Sequence, residues 1–216
     1  MRRLFIAFPV LLAFAVSGCW HSDKEVKVPT SARTNASATR LDAARLRELE
    51  LTYQVPQQVR QACAEARRLA TVRVLCPRLI PDVPLTRLAG LWGSIVIDAE
   101  PRFYMLSFNN GGLPGGKRHW ITGGGGASVV EKWLLTDHMN EVKGDPQLVR
   151  TLTRRGRRVA IYHFPPFPAG GANGGHWAAF IRVGDEIVFA SPHGRRYVEA
   201  AVEMALGLAE QIEPAS

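Results

Sequence analysis

The chain is short of cysteine and short of acid. Three cysteines in 216 residues exclude a disulfide-dense scaffold. No paired CxxC, HExxH or HxxxH spacing occurs, so no metal motif is present and no cofactor is expected. Nineteen acidic residues stand against 27 basic ones, a net charge of +8. Such a balance favours anionic lipid headgroups, acidic wall polymers or other acidic ligands. The runs Gly123–Gly126 and Gly115-Gly116-Lys117 lack GxxxxGK[ST] spacing, which excludes a P-loop, and they read as flexible connections. No internal repeat is found. The one long apolar run is Leu4–Val16. At roughly 13 residues it is short for a membrane span.

That run follows Met1-Arg2-Arg3 and leads into Val16-Ser17-Gly18-Cys19. A positive start, a short apolar core and small residues before a cysteine resemble a bacterial lipoprotein signal ending in a lipobox. The resemblance implies removal of residues 1–18 and lipidation of Cys19, with palmitate among the acyl groups. Membrane lipid then becomes the partner through Cys19, on the extracytoplasmic face of the cell membrane. Loss of Arg2 and Arg3 leaves a net charge of +6. In that compartment nucleic acid is not an expected partner, whereas an anionic envelope ligand is. Residues 19–40 are poor in apolar side chains and read as a lipidated, disordered tether. Residues 41–216 are long enough for one domain with its own core.

With Cys19 lipidated, Cys63 and Cys76 remain as an even pair in an exported chain, which reads as a disulfide. A helix at about 57–70 puts Val59, Ala62, Cys63, Ala66 and Leu69 on one face. Thr71–Cys76 reads as a strand with Val72, Val74 and Cys76 on one side, which aims the two sulfurs at each other.

Further along, 41–51 reads as a short helix, and 93–99 with 103–109 as a hairpin around Glu100-Pro101-Arg102. The 110–117 segment is a Gly-rich loop, and 119–121 a short strand. Ser128-Val129-Val130-Glu131 has capping-box spacing and predicts a helix burying Val130, Trp133 and Leu134. Asp145-Pro146 predicts another helix through Leu152. Residues 158–164 read as a strand and 165–175 as a long loop. His176–Val183 and Glu186–Ser191 flank Gly184-Asp185, a turn pair suited to a type II′ hairpin. The last helix, about 195–212, has an apolar stripe, with Glu199, Glu203 and Glu210 on its wet side. The basic cluster Arg150, Arg154, Arg155, Arg157 and Arg158 reads as a solvated face. Together these elements predict an α+β domain: a largely antiparallel sheet, covering helices and an amphipathic C-terminal helix.

Counting the hairpin back from its turn sets 181 opposite 188, 179 opposite 190 and 176 opposite 193. His176, Ala178, Phe180 and Arg182 then share a face with Ile187, Phe189, Ser191 and His193. The two histidines meet at the open end, with His163 on the preceding strand as a third candidate. Such a cluster suits ligand binding, metal binding or pH sensing, and its bland alternative is structural packing. Trp92, Trp120, Trp133 and Trp177 are expected in the core or packed under loops rather than as a sugar platform.

Gly175-His176-Trp177-Ala178-Ala179-Phe180 and Phe189-Ala190-Ser191-Pro192-His193-Gly194 resemble the second half of papain-like cysteine peptidases. The resemblance implies His176 as general base. Ser191 stands where the orienting Asp or Asn belongs, and Cys63 lacks the flanking motif of the nucleophile. The same C-terminal third resembles uncharacterised extracellular lipoproteins of high-GC Gram-positive bacteria. The expectation is a membrane-anchored, non-enzymatic module binding a ligand or partner of the cell envelope. Loops 109–126 and 165–175, with His176 and His193, would line its site. The alternative is a papain-like hydrolase using His176.

Overall fold

The computed structural model describes residues 27–30, 40–82, 95–100, 103–109, 119–132, 135, 146–165 and 175–212, with backbone alone at 95–100, 108, 109 and 119. The signal segment and Cys19, the 110–117 loop, most of the 165–175 loop, Trp92, Trp133 and Leu134 lie outside the described residues. No helix among the described residues is long and apolar enough to cross a membrane.

The architecture is α+β. In chain order it comprises α1 (Ala43–Glu48), β1 (Leu51–Thr52), α2 (Gln57–Leu69), β2 (Ile80–Pro81), β3 (Ile95–Glu100), β4 (Phe103–Asn109), β5 (His119–Gly126), α3 (Ala127–Val130), β6 (Gln147–Arg154), β7 (Arg157–Phe164), β8 (His176–Val183), β9 (Glu186–Pro192), a 3₁₀ turn (Arg195–Tyr197) and α4 (Val198–Ile212). A seven-stranded sheet runs β3-β4-β5-β9-β8-β7-β6. Every pairing in it is antiparallel. Two meanders, β3 to β5 and β6 to β9, are joined edge to edge through β5 and β9. The small pair β1–β2 stands apart.

The β8–β9 hairpin has the predicted register, with Val183 opposite Glu186, Ile181 opposite Val188 and Ala179 opposite Ala190. Gly184 carries φ +58° and Asp185 does not share its positive φ, as a type II′ turn requires. Apolar alternation on both faces makes the hairpin internal. Ala179, Ile181, Val183, Val188 and Ala190 pack beneath α4, in the core that α2 completes over β3 and β4. Ala178, Phe180, Ile187 and Phe189 face the other way, toward α3.

Asp42 caps α1 by accepting from the Arg45 amide at 2.8 Å. α2 starts after Pro56 and buries Val59, Ala62, Cys63 and Ala66. Leu69, predicted on the same stripe, is exposed, because it sits on the helix's last turn. Cys63 and Cys76 form a disulfide, with Cα atoms 5.7 Å apart. The segment 71–76 is not a strand. It has no ladder partner because Tyr104 fills that role: its hydroxyl accepts from the Leu75 amide and donates to the Leu75 carbonyl.

Three further expectations fail, each for a local reason. The run Gly123–Gly126 is not a flexible connection but half of β5, paired to β9 throughout and to β4 through Gly125. A Cβ at Gly123 would stand 2.4 Å from the Tyr104 carbonyl oxygen and 2.6 Å from the Phe189 ring. Gly123, and Gly124 beside the Ile187 carbonyl, admit a close approach that a larger residue obstructs. Residues 147–152 are strand, not helix. Arg155 and Gly156 both take positive φ, at 49° and 69°, and this tight turn pairs β6 with β7. Ser128 is not a helix cap. Gly126 precedes α3 without a side-chain bond, and Glu131 is used elsewhere.

Glu131 binds the N-terminal segment. The Val28 amide donates to Glu131 Oε1 at 2.7 Å, and Arg182 pairs with the same oxygen at 3.4 Å. Val28 is 1% exposed, and Thr30 bridges to Arg182 in parallel. Residues 27–30, read as part of the tether, are therefore docked on the domain, because Val28 supplies apolar cover that α3 alone does not.

Candidate functional site

The sequence-nominated cluster forms in part. His176 and His193 bridge across the open end of the hairpin as the register requires. Their rings lie edge to face, 3.9 Å between centroids. Two imidazoles sharing one metal hold their centroids about 5 Å apart, so this contact is ring packing. The Ser191 hydroxyl is 3.3 Å from His176 Nδ1. All three residues are buried.

His163 does not join them. It pairs with Trp177, on the opposite side of the sheet from His176, and stacks on the Trp177 ring at 4.5 Å. Among the described residues no group of three metal-ligating side chains assembles. Cys63 lies in the helix-side core, bonded to Cys76, whereas His176 faces the other side. It does not stand where a papain-like nucleophile would.

The basic cluster is not a freely solvated face. Arg150 and Arg154 each pair with Glu199 at 2.8 Å. Arg154 and Arg155 hold Glu203, and Arg155 reaches Glu210 at 3.0 Å. Glu203, predicted on the wet side of α4, is 4% exposed. Burial acts to raise the Glu199 carboxyl, but the hydrogen bonds and charges of Arg154 and Arg150 outweigh it and hold it below its ordinary value. These arginines bind β6 to α4, and their charge is spent inside the molecule.

Other arginines surround open space. A cleft of about 510 Å³ lies between the end of α2, the disulfide-stapled segment and the end of α4. Arg67, Arg73 and Arg78 line it, and all three are exposed. Its shape is fixed by backbone contacts. Arg67 Nε donates to the Val74 carbonyl and Arg73 to the Gln211 carbonyl, while Gln211 donates to the Cys76 carbonyl at 2.9 Å. Each guanidinium has five donors, so most of their N–H groups remain for a ligand. Among the described residues the one carboxylate on the rim, Glu210, is paired with Arg155. The cleft is therefore strongly cationic.

A second cleft, about 190 Å³, opens at the start of α4. It contains Trp177, with Val149, Arg195 and Arg196 on its walls. Trp120 is buried as expected, packed on Tyr197 at 5.0 Å. Trp177 is only half-buried.

Sequence reading missed both clefts. Arg67, Arg73 and Arg78 are close in sequence, but they border one cleft only because the Cys63–Cys76 segment folds back against the end of α4. Three arginines at five- to six-residue spacing around a cysteine pair were the available signal.

No protein-family model, curated protein or solved structure matches the chain.

Proposed function

We propose that the protein is a lipid-anchored binding module on the extracytoplasmic face of the cell membrane, held there through Cys19, and that it takes an anionic envelope ligand in the arginine cleft. The observation that carries this reading is the convergence of Arg67, Arg73 and Arg78 around one cleft, on a wall stapled by Cys63–Cys76. Guanidinium groups bind carboxylate and phosphate through charge-assisted hydrogen bonds. The disulfide fits an oxidising compartment. Val28 of the docked residues 27–30 belongs to the core on the other face of the sheet from the cleft's Val74 and Leu75. Hydrolysis through His176 would need a nucleophile other than Cys63.

The test is binding of inorganic polyphosphate to the full chain carrying Arg67→Gln, Arg73→Gln and Arg78→Gln together. Affinity should fall at least about tenfold, and the remaining binding should depend less on salt. Equal affinity would sink the cleft as the site. Separately, Cys19→Ala should release the protein from membranes, and continued partitioning at the processed size would sink the anchor.

A further inference from the structure

The Trp177 cleft differs in kind from the arginine cleft. One face of the indole is covered by His163, stacked at 25° between ring planes. The Arg195 guanidinium lies over the ring at 5.8 Å, the outer limit of a cation–π contact, and is exposed. Val149 is 46% exposed and sits in the one irregularity of β6, where the ladder shifts between Leu148 and Arg150. Bulges of this kind re-aim side chains beside sites. The result is an indole beside an aliphatic wall, rimmed by exposed Arg195 and Arg196. This pairing suits a ring with an apolar face and an acid group.

We propose that this cleft binds a pyranose ring bearing an acid group, the apolar face of the sugar replacing the Arg195 guanidinium over Trp177 and the acid pairing with Arg195 and Arg196. The position of the two clefts extends the inference. They lie at opposite ends of α4: Val198 and Glu199 border one, Glu210 and Gln211 the other. α4 has 15 residues, about 22 Å of helix, the span of several sugar units. The ligand that engages both is a linear acidic polysaccharide. This second step rests on the arginine cleft being an anion site; the Trp177 subsite does not.

The experiment compares two polyanions on the full chain in neutral-lipid nanodiscs: polygalacturonate, which has sugar rings, and inorganic polyphosphate, which has none. Trp177→Ala should weaken polygalacturonate binding about tenfold, as for one lost ring contact, and leave polyphosphate within about twofold. Trp177→Phe keeps an aromatic face and should restore most of the affinity, which controls for disturbed packing. The triple Arg67, Arg73 and Arg78 variant should weaken both polymers. If Trp177→Ala changes both polymers equally, or neither, the saccharide site is overturned. If it weakens only polygalacturonate while the arginine variant changes nothing, the Trp177 subsite stands and the two-cleft ligand, with the arginine reading, falls.

Discussion

One face of the sheet is lined mainly by aliphatic side chains, with alanines at the helix contact, and the other carries a row of aromatic rings. Under α4, the strands present Ala179 and Ala190 to a helix carrying Ala200, Ala201, Ala205 and Ala209. On the far side Phe103, Phe189 and Phe180 form a row across β4, β9 and β8, with stacked centroids 6.0 and 5.4 Å apart. Tyr162 and Phe164 extend the row over β7. Where a long helix supplies the cover, alanines on helix and strands let the backbones come close, and Ile181 and Val188 fill the space beside them. Where the described cover is a short helix and a few residues of docked chain, the sheet fills the volume itself. β5 contributes almost nothing to the aromatic row because Gly123 yields its place to the Phe189 ring.

Substitutions on either face test this difference. Phe189→Ala on the aromatic face should cost about 4 kcal/mol of stability in urea unfolding, the largest single effect. A cost below that of an exposed residue would show that the row does not hold the face. Gly123→Ala should also destabilise strongly. Phe189→Ala should not rescue it, since the Tyr104 carbonyl obstructs as well. On the helix face the same logic runs in reverse: Ala201→Leu should cost about 2 kcal/mol by overpacking, whereas truncation there has little to remove. Val28→Ala should cost about 2 kcal/mol, and Val28 amide protection from hydrogen exchange should fall with it. The smallest effect has the opposite sign. Thr122 is buried on the helix face, and among the described residues its hydroxyl finds no hydrogen-bond partner. Thr122→Val should gain about 1 kcal/mol.

Two groups on the helix side of the sheet respond to pH in opposite directions. Burial pushes the Tyr104 phenol well above its ordinary value, against the effect of its hydrogen bond with Leu75. Its contribution is whole below the unfolded value of about 10 and is lost as pH rises beyond it. Tyr104→Phe should flatten the alkaline limb of the stability curve. Glu199 runs the other way. Its folded carboxyl is held low, so its contribution is present above the unfolded value and fades as pH falls through the folded one. Glu199→Gln should reduce the acid sensitivity of the β6–α4 contact.

What the sequence disclosed follows from the range of the signals. The β8–β9 hairpin, its register and its two buried faces were legible because alternation and the Gly-Asp turn are local. So was the helix that carries Cys63, and the disulfide that depends on it. β5 was not legible, because a glycine run looks like a loop unless the ring that covers it is known to come from Phe189. β6 was misread because Asp145-Pro146 resembles a helix start, while the Arg155-Gly156 turn that fixes the strand has no side-chain pattern. Glu203 was placed in water because helical periodicity cannot see the two arginines that β6 brings down on it. The clefts at Arg67–Arg73–Arg78 and at Trp177 exist only between elements distant in sequence.

The disulfide acts on the unfolded chain as well as on the folded one. The segment that walls the arginine cleft has no ladder of its own, and the Cys63–Cys76 bond ties it to α2. A cross-link over 13 residues removes conformations from the open chain. Fewer alternatives then compete with the seat that Tyr104, Arg67 and Gln211 give the segment.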